Sequence, residues 1–80
     1  MKERIEELES MGLRKIVSVL KKHGRRHGQC PLEAYLGAGW KVDRCLGVWE
    51  AWSGETVVTL GPRLSGFLER FDRGDFEGRL

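Results

Sequence analysis

PLEAYLGAGWKVDRCLGVWEAW, residues 31–52, is the segment on which the predicted architecture depends. Pro31 favours the first turn of a short helix, because proline lacks the N–H that this turn leaves unbonded. The sequence Gly37-Ala38-Gly39 then predicts a tight turn. After the turn, apolar side chains recur at helical spacing, which predicts a second helix from about Trp40 to Trp52; they are Val42, Cys45, Leu46, Trp49 and Trp52.

The residues before this segment predict more helix. Apolar side chains at spacings of three and four predict one long helix, or two helices that meet near Gly12; they are Ile5, Leu8, Leu13, Ile16, Val17 and Leu20. Glutamates crowd the start of this region and Lys21, Lys22 and His23 its end, which suits the helix dipole. Gly24 predicts the helix end, and residues 25–29 a basic loop.

The residues after this segment predict one strand and one helix. Residues 55–60 contain a β-branched cluster, Thr56 to Thr59, between glycines, which favours a strand. Apolar residues from Leu64 to Phe71 match a helix that starts at Pro62, although a return strand after a Gly61-Pro62 turn stays open. Eighty residues support one core, so we predict a single domain over residues 1–74 and a frayed tail over 75–80.

The order of elements from Leu13 to Phe71 resembles the winged helix-turn-helix family. The resemblance implies an α+β, mostly helical domain in which the second helix of the pair reads DNA and a C-terminal helix follows. The family adds a two-stranded wing, whereas this sequence shows a single clear strand. A truncated wing is therefore implied, with Gln29-Cys30 as the candidate for a minor pairing strand.

The resemblance implies two groups of DNA-binding residues. The second helix would present Lys41, Asp43 and Arg44 to base edges in the major groove. The densest basic segment would hold phosphates; its residues are Lys21, Lys22, Arg25, Arg26 and His27. Both groups also fit a plainer interpretation, in which they are solvated surface charges and cations that complement a helix dipole.

Two functions follow from these patterns. The first is a small DNA-binding protein, a transcriptional regulator or accessory factor, that binds double-stranded DNA as a homodimer through its N-terminal helix or the helix at residues 64–71. The second is a non-catalytic protein-interaction module, such as a mobile-element adaptor or inhibitor that docks on a larger host protein. That module would use an apolar patch near Val48 and Ala51.

Other classes of function find little support in the sequence. No phosphate-binding loop or nucleophile motif is present, so we predict neither an enzyme nor a cofactor. A zinc site at His23, His27, Cys30 and Cys45 is disfavoured because no CxxC or HExxH occurs, and both cysteines are expected to be small buried hydrophobes. The first ten residues, MKERIEELES, have no apolar run, which predicts a cytoplasmic protein without a membrane anchor.

Overall fold

The computed structural model describes residues 2–24 and 29–76. About half of the chain is helical, and in the sequence the strands of a three-stranded sheet follow the third helix and precede the fourth. The elements in chain order are α1 (Lys2–Glu9), α2 (Leu13–His23), α3 (Pro31–Leu36), β1 (Lys41–Cys45), β2 (Val48–Ser53), β3 (Thr56–Thr59) and α4 (Pro62–Asp72). The fold is therefore α+β, with less helix than predicted.

The second helix predicted for residues 40–52 is wrong, because these residues form a β-hairpin. Leu46 and Gly47 make its two-residue turn with φ angles of 52° and 80°, the signs that a type I′ turn requires. Side chains then alternate between the two faces of the sheet: Val42, Trp49 and Ala51 are buried, while Cys45 and Leu46 are exposed. Only the first helix of the predicted helix-turn-helix pair is formed.

The three strands form an antiparallel sheet in the order β1-β2-β3. Val42 pairs with Ala51, and Ala51 with Val58, so these side chains share the inner face. The strand predicted at residues 56–59 is confirmed, but it is the third of three, and residues 29–30 are not a strand. The expectation of one strand with a truncated wing is therefore wrong.

The helices and the inner face of the sheet enclose one core. Its largest fully buried side chains are Leu8, Ile16, Leu32, Leu36, Leu64, Phe67 and Leu68. Of the two alternatives for residues 5–20, two helices that meet near Gly12 are the one formed, and the short helix at 31–36 and the helix that starts at Pro62 are confirmed. The frayed tail was expected from residue 75, yet Phe76 is buried against Phe67; residues 77–80 lie outside the described part.

Helices α1 and α4 cap each other's ends. The Glu9 carboxylate accepts the backbone N–H groups of Arg63 and Leu64, each at 2.9 Å, at the start of α4. In return, the Arg63 guanidinium donates to the carbonyl of Ser10 at 2.8 Å, just beyond the end of α1. Both contacts satisfy backbone groups that a helix leaves unbonded at its ends. They fix α1 against the start of α4.

Candidate nucleic-acid interface

The solvent face of α2 is basic along its whole length. Leu20 and Ile16 lie in the core, whereas the side chains on the opposite side are exposed. At 100° per residue, these outward residues fall within an arc of about 120°. They are Arg14, Lys15, Ser18, Lys21 and Lys22. We call the four cations among them the α2 basic face.

The α2 basic face has no internal counter-charge. Helix α2 contains no acid, and within residues 2–24 and 29–76 none of its four cations takes part in an ion pair or a hydrogen bond of its side chain. Lys21 and Lys22 lie in the last turn, where cations complement the helix dipole. Arg14 and Lys15 lie in the first turn, where the dipole disfavours cations by roughly 0.3–1 kcal/mol. A favourable interaction with the helix dipole therefore explains the positions of Lys21 and Lys22 but not those of Arg14 and Lys15.

The end of α2 is anchored to α3. Nε2 of His23 lies 2.8 Å from the carbonyl oxygen of Ala34, to which it donates, and the His23 ring meets the edge of Tyr35 at 5.5 Å between centroids. Gly24 then leaves the helix with a φ of 78°. The remaining predicted phosphate contacts, Arg25, Arg26 and His27, lie outside the described residues.

The three residues assigned to base recognition lie on strand β1, so their predicted placement on a recognition helix is wrong. Lys41 and Asp43 project from the outer face of the sheet and are exposed. Lys41 also lines an open cleft of about 530 Å³ together with His23 and Gly24, which brings it near the end of α2. Asp43 and Arg44 do not line this cleft.

Arg44 belongs to a cluster on the inner side of the sheet edge. Its guanidinium lies 2.8 Å from one oxygen of Glu69 and 3.0 Å from the other, and 5.8 Å from the centroid of the Trp49 ring. The indole of Trp49 donates to Glu69 at 2.9 Å. The Trp49 hydrogen bond, followed by that of Arg44, lowers the pKa of Glu69, and Glu69 raises the pKa of Arg44. Arg44 is thus paired with Glu69 at the surface, with 47% of its side chain exposed.

Sequence reasoning left Arg14 and Lys15 out of the site. Their spacing from Lys21 and Lys22 places them on the same helical face, opposite Ile16 and Leu20, and this signal was available. Two arginines of α4 were also missed. Arg63 and Arg70 line a shallow groove of about 220 Å³ with Leu13, beside the start of α2. Both therefore lie near the start of α2, where Arg63 is held by the carbonyl of Ser10.

The apolar patch expected near Val48 and Ala51 is only half correct. Val48 is 44% exposed on the outer face of the sheet, but Ala51 is fully buried on the inner face. The other exposed large apolar side chains of the described residues are Leu46, at 98%, and Val57, at 60%. Cys45 is exposed and Cys30 half-buried, which contradicts the expectation that both are core residues, and neither is in a disulfide.

Comparisons with known proteins return no counterpart. No family model, curated protein or solved structure matches this chain. The winged helix-turn-helix resemblance therefore stays a prediction. Among the described residues, no helix is long and apolar enough to span a bilayer, and no group of three or more His, Cys, Asp or Glu side chains is placed to hold a metal ion.

Proposed function

We propose that this chain is a small non-catalytic protein that binds double-stranded DNA through its phosphates. The observation that carries the proposal is the α2 basic face, whose four exposed cations have no partner in the described part of the molecule. Cations without an internal partner, two of them opposed by the helix dipole, favour an external anion. Arg25 and Arg26 add two further cations to the sequence shortly after Lys22.

The dimensions of α2 suit a phosphate backbone. Eleven residues rise by about 16 Å, which equals the axial rise of roughly five nucleotides of one strand. Phosphate contacts position a protein but carry no sequence information. Because the helix predicted to read bases is a hairpin, this binding is sequence-tolerant. An accessory factor fits such binding better than a regulator that selects an operator.

The test is fluorescence-anisotropy binding to a mixed-sequence duplex across a salt series. The variant Lys21→Ala/Lys22→Ala removes two cations of the α2 basic face, and Lys2→Ala/Arg73→Ala removes two exposed cations elsewhere. We expect the first variant to lower affinity by roughly 10-fold or more and to reduce the salt slope by about 2, because each phosphate contact contributes about one unit. The second variant should change affinity less than about 3-fold. Absence of binding at low salt, or an equal loss in both variants, would refute the proposal.

A protein-interaction module is the second candidate. Leu46, at the tip of the β1-β2 hairpin, is 98% exposed, and Val48 beside it is 44% exposed. Exposed apolar side chains close together are typical of protein contacts. This candidate gains support if the wild-type protein binds no duplex and if Leu46→Asp abolishes capture of a partner without changing the thermal unfolding midpoint. Loss of partner capture in the Lys21→Ala/Lys22→Ala variant alone would contradict it.

A further inference from the structure

The two free edges of the sheet differ in their backbone hydrogen bonding. Along β1, the backbone N–H and C=O groups of successive residues point alternately towards β2 and away from it. The register set by the two-residue turn makes the N–H groups of Val42 and Arg44 point away from β2, at the free edge of β1. Both are satisfied by carboxylates. The Val42 N–H donates to Glu33 at 2.9 Å, and the Arg44 N–H donates to the side chain of Asp43 at 2.8 Å. The two outward N–H groups of the β1 edge are therefore already bonded.

The β3 edge is open. Leu60 donates its N–H to Trp49 at 2.9 Å, which fixes the alternation and turns the backbone groups of Val57 and Thr59 outward. Within the described residues, neither of these two residues has a hydrogen-bond partner on that side. The Val57 side chain is also 60% exposed. An open edge with β-branched residues is a template for strand addition.

A groove runs along this open edge. It has a volume of about 440 Å³ and lies between β3 and α1, with Val57, Val58 and Thr59 on one side. Lys2, Ile5, Glu6 and Glu9 line it from α1. Glu9 is already bound to the N–H groups of Arg63 and Leu64, so the exposed charges that α1 brings to the groove are the cation of Lys2 and the acid of Glu6, which are complementary between two antiparallel copies of the helix.

We infer that a second copy of this chain binds here by pairing its β3 with this β3 in antiparallel order. The outward backbone groups meet when Val57 faces Thr59 of the second copy and Thr59 faces Val57 of the second copy. This register forms four hydrogen bonds, joins the two sheets into one of six strands and covers Val57. It also sets Lys2 towards Glu6 of the second copy. The inference does not depend on the proposed DNA binding.

The variants that test the inference spare the fold of the single chain. Thr59→Pro removes only an N–H that points outward, and edge strands tolerate proline at such positions. Val57→Lys places a charge on the edge, which blocks strand pairing. The matched control is Val48→Lys, because Val48 is exposed on the same face but lies on the central strand. Circular dichroism and thermal unfolding verify that each variant is folded.

Sedimentation velocity from about 5 to 500 µM measures the dimer, since an interface of this small size predicts a micromolar dissociation constant. We expect wild type and Val48→Lys to dimerise alike, and Thr59→Pro and Val57→Lys to dimerise at least about 10-fold more weakly. In the wild type, amide exchange at Val57 and Thr59 should slow as concentration rises. A wild type that stays monomeric, with exchange independent of concentration, would overturn the inference and leave the edge to an extended segment of another protein. Equal dimerisation of all four proteins would overturn it as well.

Discussion

Helices α2 and α4 are both 11 residues long and both bury an apolar stripe, but they use their charges differently. In α4, Arg63 binds a carbonyl beyond the end of α1, and Glu69 accepts from Trp49 and Arg44. In α2, no lysine or arginine side chain contacts a partner within the described residues. Arg63 and Glu69 of α4 hold elements of the molecule together, whereas the α2 basic face has no partner within the described residues. Removing charges from the two helices should therefore change different measurements.

The largest effect is expected from neutralising the whole α2 basic face. The variant Arg14→Ala/Lys15→Ala/Lys21→Ala/Lys22→Ala should lose about 100-fold or more in duplex affinity near 100 mM salt, because four phosphate contacts disappear. Its free energy of unfolding, measured in urea, should stay within about 0.5 kcal/mol of wild type, since exposed charges without partners contribute little. A large loss of stability in this variant would show that the cations of α2, like Arg63 and Glu69 of α4, stabilise the folded chain.

The next effect concerns the cap that α1 provides to α4. Glu9→Ala removes both hydrogen bonds to the N–H groups of Arg63 and Leu64, so we expect a loss of about 1–2 kcal/mol in the free energy of unfolding. Glu7→Ala on the exposed side of the same helix should have almost no effect. Duplex affinity should be unchanged in both variants, and a fall in affinity for Glu9→Ala would show that the two helices do not act separately.

Gly61 provides the control for this cap. A Cβ atom at Gly61 would lie 2.5 Å from the Glu9 carboxyl group, so Gly61→Ala should displace the cap and cost about 1 kcal/mol. In a Glu9→Ala background the same substitution should be almost neutral, because the obstructing side chain is gone. Additive losses in the double variant would mean that Glu9 does not cap α4 through this geometry.

The smallest effect is expected from acid. The hydrogen bonds from Trp49 and Arg44 lower the pKa of Glu69 in the folded protein, so this cluster stabilises the fold above the ordinary glutamate pKa. The stabilisation should disappear as the pH falls through the lowered pKa. We therefore expect Glu69→Gln to unfold at a lower temperature than wild type at pH 7, and we expect this difference to shrink as the pH falls below the ordinary glutamate pKa. A difference between the two proteins that does not change with pH would assign the role of Glu69 to packing.

The sequence predicts α4 but not the hairpin before it, and glycine shows why. Both segments have apolar residues at helical spacing and one glycine inside that pattern, Gly47 in residues 40–52 and Gly66 in α4. The presence of a glycine therefore did not distinguish the segment that forms a hairpin from the one that forms a helix. The difference is that Gly66 is exposed on a helix with room around it, whereas Gly47 adopts a φ of 80° in a two-residue turn. The hairpin also pairs with β3, and strand pairing of this kind is not visible in the spacing of the apolar residues.

The candidate site divides in the same way. Lys21 and Lys22 stand out as a local run of charge, and Arg14 and Lys15 join them once α2 is viewed as a helix. The engagement of Arg44 could not be predicted, because Glu69 is 25 residues away and reaches it only across the sheet edge. Residues within one helix were accessible to sequence reasoning, and contacts between elements were not.

The mutual capping of α1 and α4 also constrains the order in which the chain can fold during synthesis. The partners of Glu9 are the N–H groups of Arg63 and Leu64, which lie 54 and 55 residues later in the chain. Helix α1 therefore cannot acquire its final position until α4 has left the ribosome. A nascent chain that stalls before residue 62 would expose Ile5 and Leu8, which are buried in the finished core. Chaperones that bind nascent chains would therefore meet the apolar side of α1 until α4 has been synthesised.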